Sequence, residues 1–236
     1  MSAASQVDDV AVVIPARNEA DRIRQTVTAA AGLPGVGLVV VVDDGSRDDT
    51  GAVARRAGAV VLRHARNRGK AAAMQSGANE VGLVDQREHR ERPRHLLFLD
   101  ADLAESAAQA GPLADPVLAG TADMTIAVFA ATVKLGGHGL VVGLSGAGIR
   151  RAVGWQPAQP LNGQRCLTRA AFEAARPLAH GWGVETALTI DLLRQGFRVT
   201  EVKVELAHRA TGTGPRAQLH RAHQLADVAR ALAVRR

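Results

Sequence analysis

The chain is predicted to fold as an α/β domain, a mostly parallel sheet flanked by helices. Three observations lead there. Between residues 10 and 129, short apolar runs alternate with stretches of helical character, as right-handed strand–helix–strand units do. The runs are dense in Val, Leu and Ile with little polar alternation, which suits strands covered on both faces. Polar and acidic residues gather just after those runs, where sheets of this kind bind ligands.

Each element follows in order. VAVVI (10–14) reads as a buried strand, and NEADRIRQTVTAAAG (18–32) as a helix ended by glycine. LVVVVD (38–43) is the second strand, DDTGAVARRAG (48–58) a helix, and AVVLRH (59–64) the third strand. GKAAAMQSGANEVG (69–82) is helical, the charge run QREHRERPR (86–94) is expected as a solvated loop, and HLLFLD (95–100) is the fourth strand. A helix is expected over 105–119 and a fifth strand over ADMTIAVF (122–129). The second half is less regular. It reads as a loop and amphipathic helix over 134–153, then a loop into a strand over 154–165. Helices at 168–176 and 184–195 follow, then a strand at 198–206 and a basic amphipathic tail helix. No linker or repeat divides the chain, so one domain is expected over 1–236. Two halves are distinguished within it, a regular one over about 8–130 and a less regular one over about 131–236.

Composition narrows the class. Hydrophobic residues make up 47% and charged residues 22% of the 236, enough to bury a core and too apolar for disorder. The single cysteine, Cys166, can form no intrachain disulfide, which fits a reducing cytoplasm. MSAASQVDD has neither the basic nor the apolar region of a signal peptide, and no run reaches the ~20 apolar residues of a membrane span. The net charge of +6 favours anionic partners, although an arginine- and alanine-rich genome explains it equally well.

The fourth strand ends as LLFLDADLAES. If the strand's alternation continues, the side chains of Asp100 and Asp102 fall on the same side. Two carboxylates together are costly unless a cation or amide donors meet them, so the pair either caps a helix or holds a metal. Asp43-Asp44-Gly45-Ser46 serves equally as a turn and cap or as an acceptor for a nucleobase or ribose. Lys70 stands at a helix N-terminus, beside the positive end of the dipole, where a bound phosphate would reverse the penalty; the bland alternative is a solvated lysine. GxGxxG is absent from the first strand–helix turn, and RNRGKAAAM lacks the glycine and Ser/Thr of a Walker A loop.

Taken in order, VVIPARNEADRI, VVDDGSRDDT, RNRGKAAAMQSGA and FLDADL resemble the nucleotide-sugar glycosyltransferases of the GT-A, Rossmann-like fold, family 2 type. Asp100-Ala101-Asp102 is similar to their metal-binding DxD motif. PLNGQRCLTRAAF (160–172), GWGVETALTID (181–191) and VELAHRATG (204–212) resemble the retaining glucosyl- and mannosyl-3-phosphoglycerate synthases. The resemblance implies that Pro15, Ala16, Arg17, Glu19 and Asp44 hold base and ribose, with Lys70, Asp100 and Ala101 on the same nucleotide side. It implies Asp102 and His208 as ligands of Mn²⁺ or Mg²⁺, and Glu185 at the reacting sugar. Glu185 is a general base if the enzyme inverts, and positions acceptor and sugar if it retains. Gly163 and Arg150 are the candidate acceptor-binding residues. The synthases' Gly-Arg-Val-Thr acceptor segment has no counterpart; GLVVGLSGAGIRRAVGW (139–155) stands in its place, which leaves the acceptor open.

The expected function is therefore transfer of a sugar from a UDP- or GDP-sugar donor to a small-molecule or lipid-phosphate acceptor. It is expected in the cytoplasm, as a monomer or homodimer, with peripheral contact at the inner face of the membrane if the acceptor is lipid-linked. A sugar-1-phosphate nucleotidyltransferase would open with a glycine-rich, arginine-ended loop, and PARNEADR is not one. A non-catalytic basic module for nucleic acid or membranes would need exposed aromatics or a groove-reading helix, and aromatics are 3% of this chain. No nucleic acid is expected as partner.

Overall fold

A computed structural model describes residues 8–129, 139–206 and 215–235. His208 lies outside the described residues. The first half runs β1 (Val10–Ala16), α1 (Ile23–Ala31), β2 (Val36–Asp43), α2 (Thr50–Arg56), β3 (Val60–Arg63), α3 (Lys70–Arg87) and β4 (His95–Phe98). A 3₁₀ stretch (Ala104–Leu113), the single turn α4 (Asp115–Leu118) and β5 (Met124–Phe129) follow. Then come α5 (Gly139–Val153), β6 (Arg165–Leu167), α6 (Arg169–Ala174), a 3₁₀ turn (Gly181–Gly183), α7 (Val184–Arg194), β7 (Val199–Val204) and α8 (Pro215–Val234).

The seven described strands form one sheet in the order β3-β2-β1-β4-β6-β5-β7. Only β6 runs against its neighbours, β4 and β5. Burial on both faces explains the unbroken apolar runs. In β1, Val10, Val12 and Ile14 join the core on the α1 side, while Ala11 and Val13 join the core beneath α3, α6 and α7. The α3 side needs small residues: a β-carbon at Gly77 would lie 2.4 Å from Val13 Cγ1. Phe98 and Phe172 pack there with ring centroids 5.5 Å apart.

The structure departs from the sequence-based reading at four places. The first helix begins at Ile23 rather than Asn18. The amides of Asn18, Glu19 and Ala20 instead donate to Ser46, Thr50 and Asp48 side chains, tying loop 17–22 to the loop after β2. The helix expected over 105–119 is a 3₁₀ stretch that contains Pro112 and one α turn that has Pro116 near its start, both prolines lacking the amide a continuous α-helix would use. Strand β4 stops at Phe98 and the chain turns at residues 101–102, so strand alternation does not carry through to Asp102. The charge run 86–94 is exposed at residues 86–89 and 91–93, as a solvated loop would be, but Arg90 and Arg94 turn inward. Arg94 is 4% exposed and bonds Asp85 at 2.6 Å, Glu88 at 2.6 Å and the Asp8 carbonyl at 3.2 Å, while Arg90 bonds Asp9 at 2.7 Å. These pairs fasten the end of α3 to the start of β1.

Candidate active site

The carboxyl ends of β1, β2 and β4 bring three polar loops to one edge of the sheet, as expected for a parallel α/β fold. Antiparallel β6 adds a fourth. Because it runs the other way, its first residue pairs with the last of β4, Arg165 opposite Phe98. That register sets loop 160–164 beside the acidic tip at Asp100. Helix α7 then begins over the same edge and presents Glu185 in its first turn.

Lys70, the first residue of α3, joins these segments. Its Nζ lies 2.8 Å from Asp100 Oδ1 and 3.2 Å from Glu185 Oε1. Gln164 Nε2 donates to the other Asp100 oxygen at 2.6 Å. Burial by itself would lower the Lys70 ammonium, but the charges and hydrogen bonds of Asp100 and Glu185 outweigh it and hold the group well above the ordinary lysine range. Lysine at a helix N-terminus is thus compensated here by two carboxylates. Gly163 makes the approach possible, since a β-carbon there would lie 2.2 Å from the ammonium. The cluster forms the polar floor of a cavity of about 190 Å³ whose walls include Phe129, Val141, Leu161, Trp182 and Val228.

Of the other described candidate residues, only Gly163 lines this cavity. Pro15 and Ala16 end β1, and the Ala16 carbonyl accepts from the Asp44 amide. Arg17 is exposed and Glu19 half-buried. The Asp44 carboxylate is buried and bonds His64 Nδ1 at 2.7 Å and the amides of Arg68 and Gly69, both at 2.8 Å, so it shapes the loop leading into α3. Ala101 is buried and its carbonyl accepts from Thr26, while the Asp102 carbonyl accepts from Arg22. Gly163 lines the cavity. Arg150 does not; it is exposed in the last turn of α5, and the residues of α5 that reach the cavity are Val141 and Val142, two turns earlier. Cys166 offers no nucleophile, because burial pushes its thiol up to about 12.

Two residues were not singled out from the sequence. Gln164 and Trp182 sit inside the quoted segments PLNGQRCLTRAAF and GWGVETALTID, but only the pairing of β6 with β4 reveals that Gln164 meets Asp100. No group of three His, Cys, Asp or Glu side chains among the described residues is placed to hold a metal. Asp100 already accepts from Lys70 and Gln164. A hard divalent cation at this edge would therefore draw most of its oxygens from a bound diphosphate rather than from these side chains.

A carboxyl-edge site with an acidic strand tip, set in a mixed sheet of this order, defines the class of GT-A nucleotide-sugar transferases in fold. Solved structures agree. Glucosyl-3-phosphoglycerate synthase from Mycobacterium tuberculosis in complex with Mg²⁺ and UDP superposes with a TM-score of 0.76 at 24% identity, covering 98% of this chain and 80% of that one. The same enzyme with Mn²⁺, UDP-glucose and phosphoglyceric acid gives 0.72 at 23% identity, over 98% and 81%. The chain belongs to glycosyl transferase family 2, whose model matches residues 11–138, more than half of its length. Glycosyltransferase AglJ of Haloferax volcanii is 27% identical over 212 residues, 87% of this chain and 65% of that protein. Succinoglycan biosynthesis protein ExoU of Rhizobium meliloti is 46% identical over 78 residues, 31% of this chain and 22% of its own. The chain therefore spans less than two thirds of these curated relatives.

Proposed function

We propose that the protein is a metal-dependent glycosyltransferase that moves a sugar from a UDP- or GDP-sugar to an acceptor alcohol or phosphate. The observation that carries this is the Lys70–Asp100–Glu185 cluster on the floor of a cavity at the carboxyl edge of the sheet. In this reading the nucleotide lies along 15–19 and the loop shaped by Asp44, with Lys70 and Asp100 between it and the cavity. Asp102 and His208 would hold the divalent cation, Mn²⁺ or Mg²⁺, whose charge offsets that of the leaving diphosphate. Glu185 faces the cavity side, where sugar and acceptor meet. Its Oε1 is engaged by Lys70, which favours a role in positioning over proton abstraction. Transfer with retention, the leaving phosphate taking the acceptor's proton, fits that arrangement.

The apolar walls around a charged floor suit an acceptor with an apolar body, either a small molecule or a lipid-linked phosphate. No helix among the described residues is long and apolar enough to cross a membrane. The test is release of free UDP or GDP from sugar donors in Mn²⁺, with and without candidate acceptors and after EDTA. Nucleotide release that needs the metal supports the reading. A protein that binds no nucleotide diphosphate in Mn²⁺ refutes it.

A further inference from the structure

A second buried cation lies beneath the cluster. Arg165 opens β6 and is 1% exposed, the largest fully buried side chain among those described. The oxygens it reaches are carbonyls and one hydroxyl. Nε donates to the Asn162 carbonyl at 2.8 Å and Nη2 to the Pro160 carbonyl at 2.9 Å. Nη1 donates to the Glu185 carbonyl at 3.0 Å and to Thr189 Oγ1 at 2.9 Å, and that hydroxyl also donates to the Glu185 carbonyl at 2.9 Å.

A buried cation is an expensive way to fill space, and an apolar side chain of similar volume usually serves stability as well or better. What an apolar side chain cannot do is hold three carbonyls from two separate segments in one rigid plane, which a guanidinium's fixed fork of donors does. Those segments are the cavity wall at 160–163 and the first turn of α7, which carries Glu185. Successive residues of β6 point to opposite faces. Gln164 thus reaches Asp100 while Arg165 reaches the backbone of Glu185. Two adjacent residues at the start of one short strand engage the Asp100 carboxylate and the backbone of Glu185, the two residues that meet Lys70.

We propose that Arg165 is a positioning residue, its guanidinium stapling the cavity wall 160–163 to the first turn of α7 and so setting where the Glu185 carboxylate meets Lys70. Its consequence for catalysis rests on the transferase reading above; the staple itself does not.

The test uses the full chain with Arg165→Lys, which keeps the charge and loses the fork, and Thr189→Val, a milder change that removes one acceptor. Amide hydrogen exchange in Arg165→Lys should quicken by roughly tenfold or more at 158–164 and 184–190, with 10–19 and 43–46 unchanged. UDP affinity in Mn²⁺ should stay within about twofold, while turnover of UDP-glucose or GDP-mannose falls by about tenfold at unchanged donor KM. In a Glu185→Gln background, Arg165→Lys should add less than about twofold, because it acts through Glu185. Exchange that is unchanged, or raised evenly along the chain, overturns the proposal. So does an equal cost of Arg165→Lys with and without Glu185. If Arg165→Lys does not fold, Thr189→Val must show the same local pattern at smaller size, or the proposal fails. A wild-type protein that turns over no donor counts against the transferase reading, and the exchange pattern still decides the staple.

Discussion

Replacing Gly163 with alanine should separate the site from the fold. The backbone there is not in the left-handed region, so alanine is allowed conformationally. The added β-carbon would lie 2.2 Å from Lys70 Nζ and 3.3 and 3.4 Å from the two Asp100 oxygens. Non-bonded heavy atoms rest near roughly 3.5 Å, so the ammonium must retreat by about 1 Å. From starting distances of 2.8 Å to Asp100 and 3.2 Å to Glu185, that retreat breaks or badly lengthens at least one bond. The moving atom is the tip of a flexible, part-exposed side chain, so folding should lose only about 1–2 kcal/mol, near the worth of one charged hydrogen bond. Catalysis is less forgiving: misplacing a working group by ~1 Å costs on the order of 10²-fold, about 2.7 kcal/mol in the barrier. The assay is nucleotide release in Mn²⁺ beside a thermal melt of the same preparation. Gly143→Ala on α5, where a β-carbon meets nothing within 4 Å, is the control. Gly163→Ala with turnover within about threefold of wild type would show that the Lys70 contacts are not part of the chemistry.

Three further outcomes are expected. Asp102→Ala should abolish the metal dependence of nucleotide binding, seen by calorimetry with and without EDTA; unchanged, EDTA-insensitive affinity would remove Asp102 from the metal site. Glu185→Gln keeps size and loses charge, so turnover should drop by about 10²-fold or more with nucleotide affinity nearly intact; a loss under about fivefold would leave Glu185 a structural residue. Arg94→Met removes the nearest cation from Asp85 but leaves it the residue-94 amide, Arg169 at 3.5 Å and Arg90 at 4.0 Å. Urea unfolding should therefore lose about 1.5–3 kcal/mol without a change in nucleotide affinity; a cost below ~0.5 kcal/mol would mean the Arg94 pairs do not hold the end of α3.

The strands were legible because burial on both faces leaves an unbroken apolar run, and β1, β2 and β5 show it plainly. The start of α1 was not, because Asn18 to Ala20 give their amides to side chains 28 to 31 residues away, a tertiary fact. Within the charge run 86–94, the inward turn of Arg94 was hidden for the same reason: arginines look alike whether water or Asp85 surrounds them. In the site, the acidic strand tip and the misplaced lysine at the head of α3 were both visible in the sequence. That Asp100 and Lys70 answer each other was not, nor was Gln164. The first is a contact between residues 30 apart in sequence, and the second depends on a reversed strand, three residues long, that no periodicity announces.

The electrostatics of the cluster connect these pieces. Lys70 faces two carboxylates, so these three side chains sum to about −1, with the Arg165 guanidinium beneath them and Asp102 beside them still to be counted. A sugar diphosphate brings further negative charge to the same edge, and like charges at close range raise the energy steeply in a low-dielectric site. Neither partner can be accommodated by Lys70 alone, since its ammonium is already shared between Asp100 and Glu185. In the proposed reaction this is the physical reason for a divalent cation: it lets donor and acidic tip occupy one edge without requiring Lys70 to abandon Glu185. In that reading Lys70 would keep the two halves of the site in register, and a cation held by Asp102 and His208 would offset the donor's charge. Loss of either should therefore have different signatures, weakened nucleotide binding for the cation and misplaced Glu185 for the lysine.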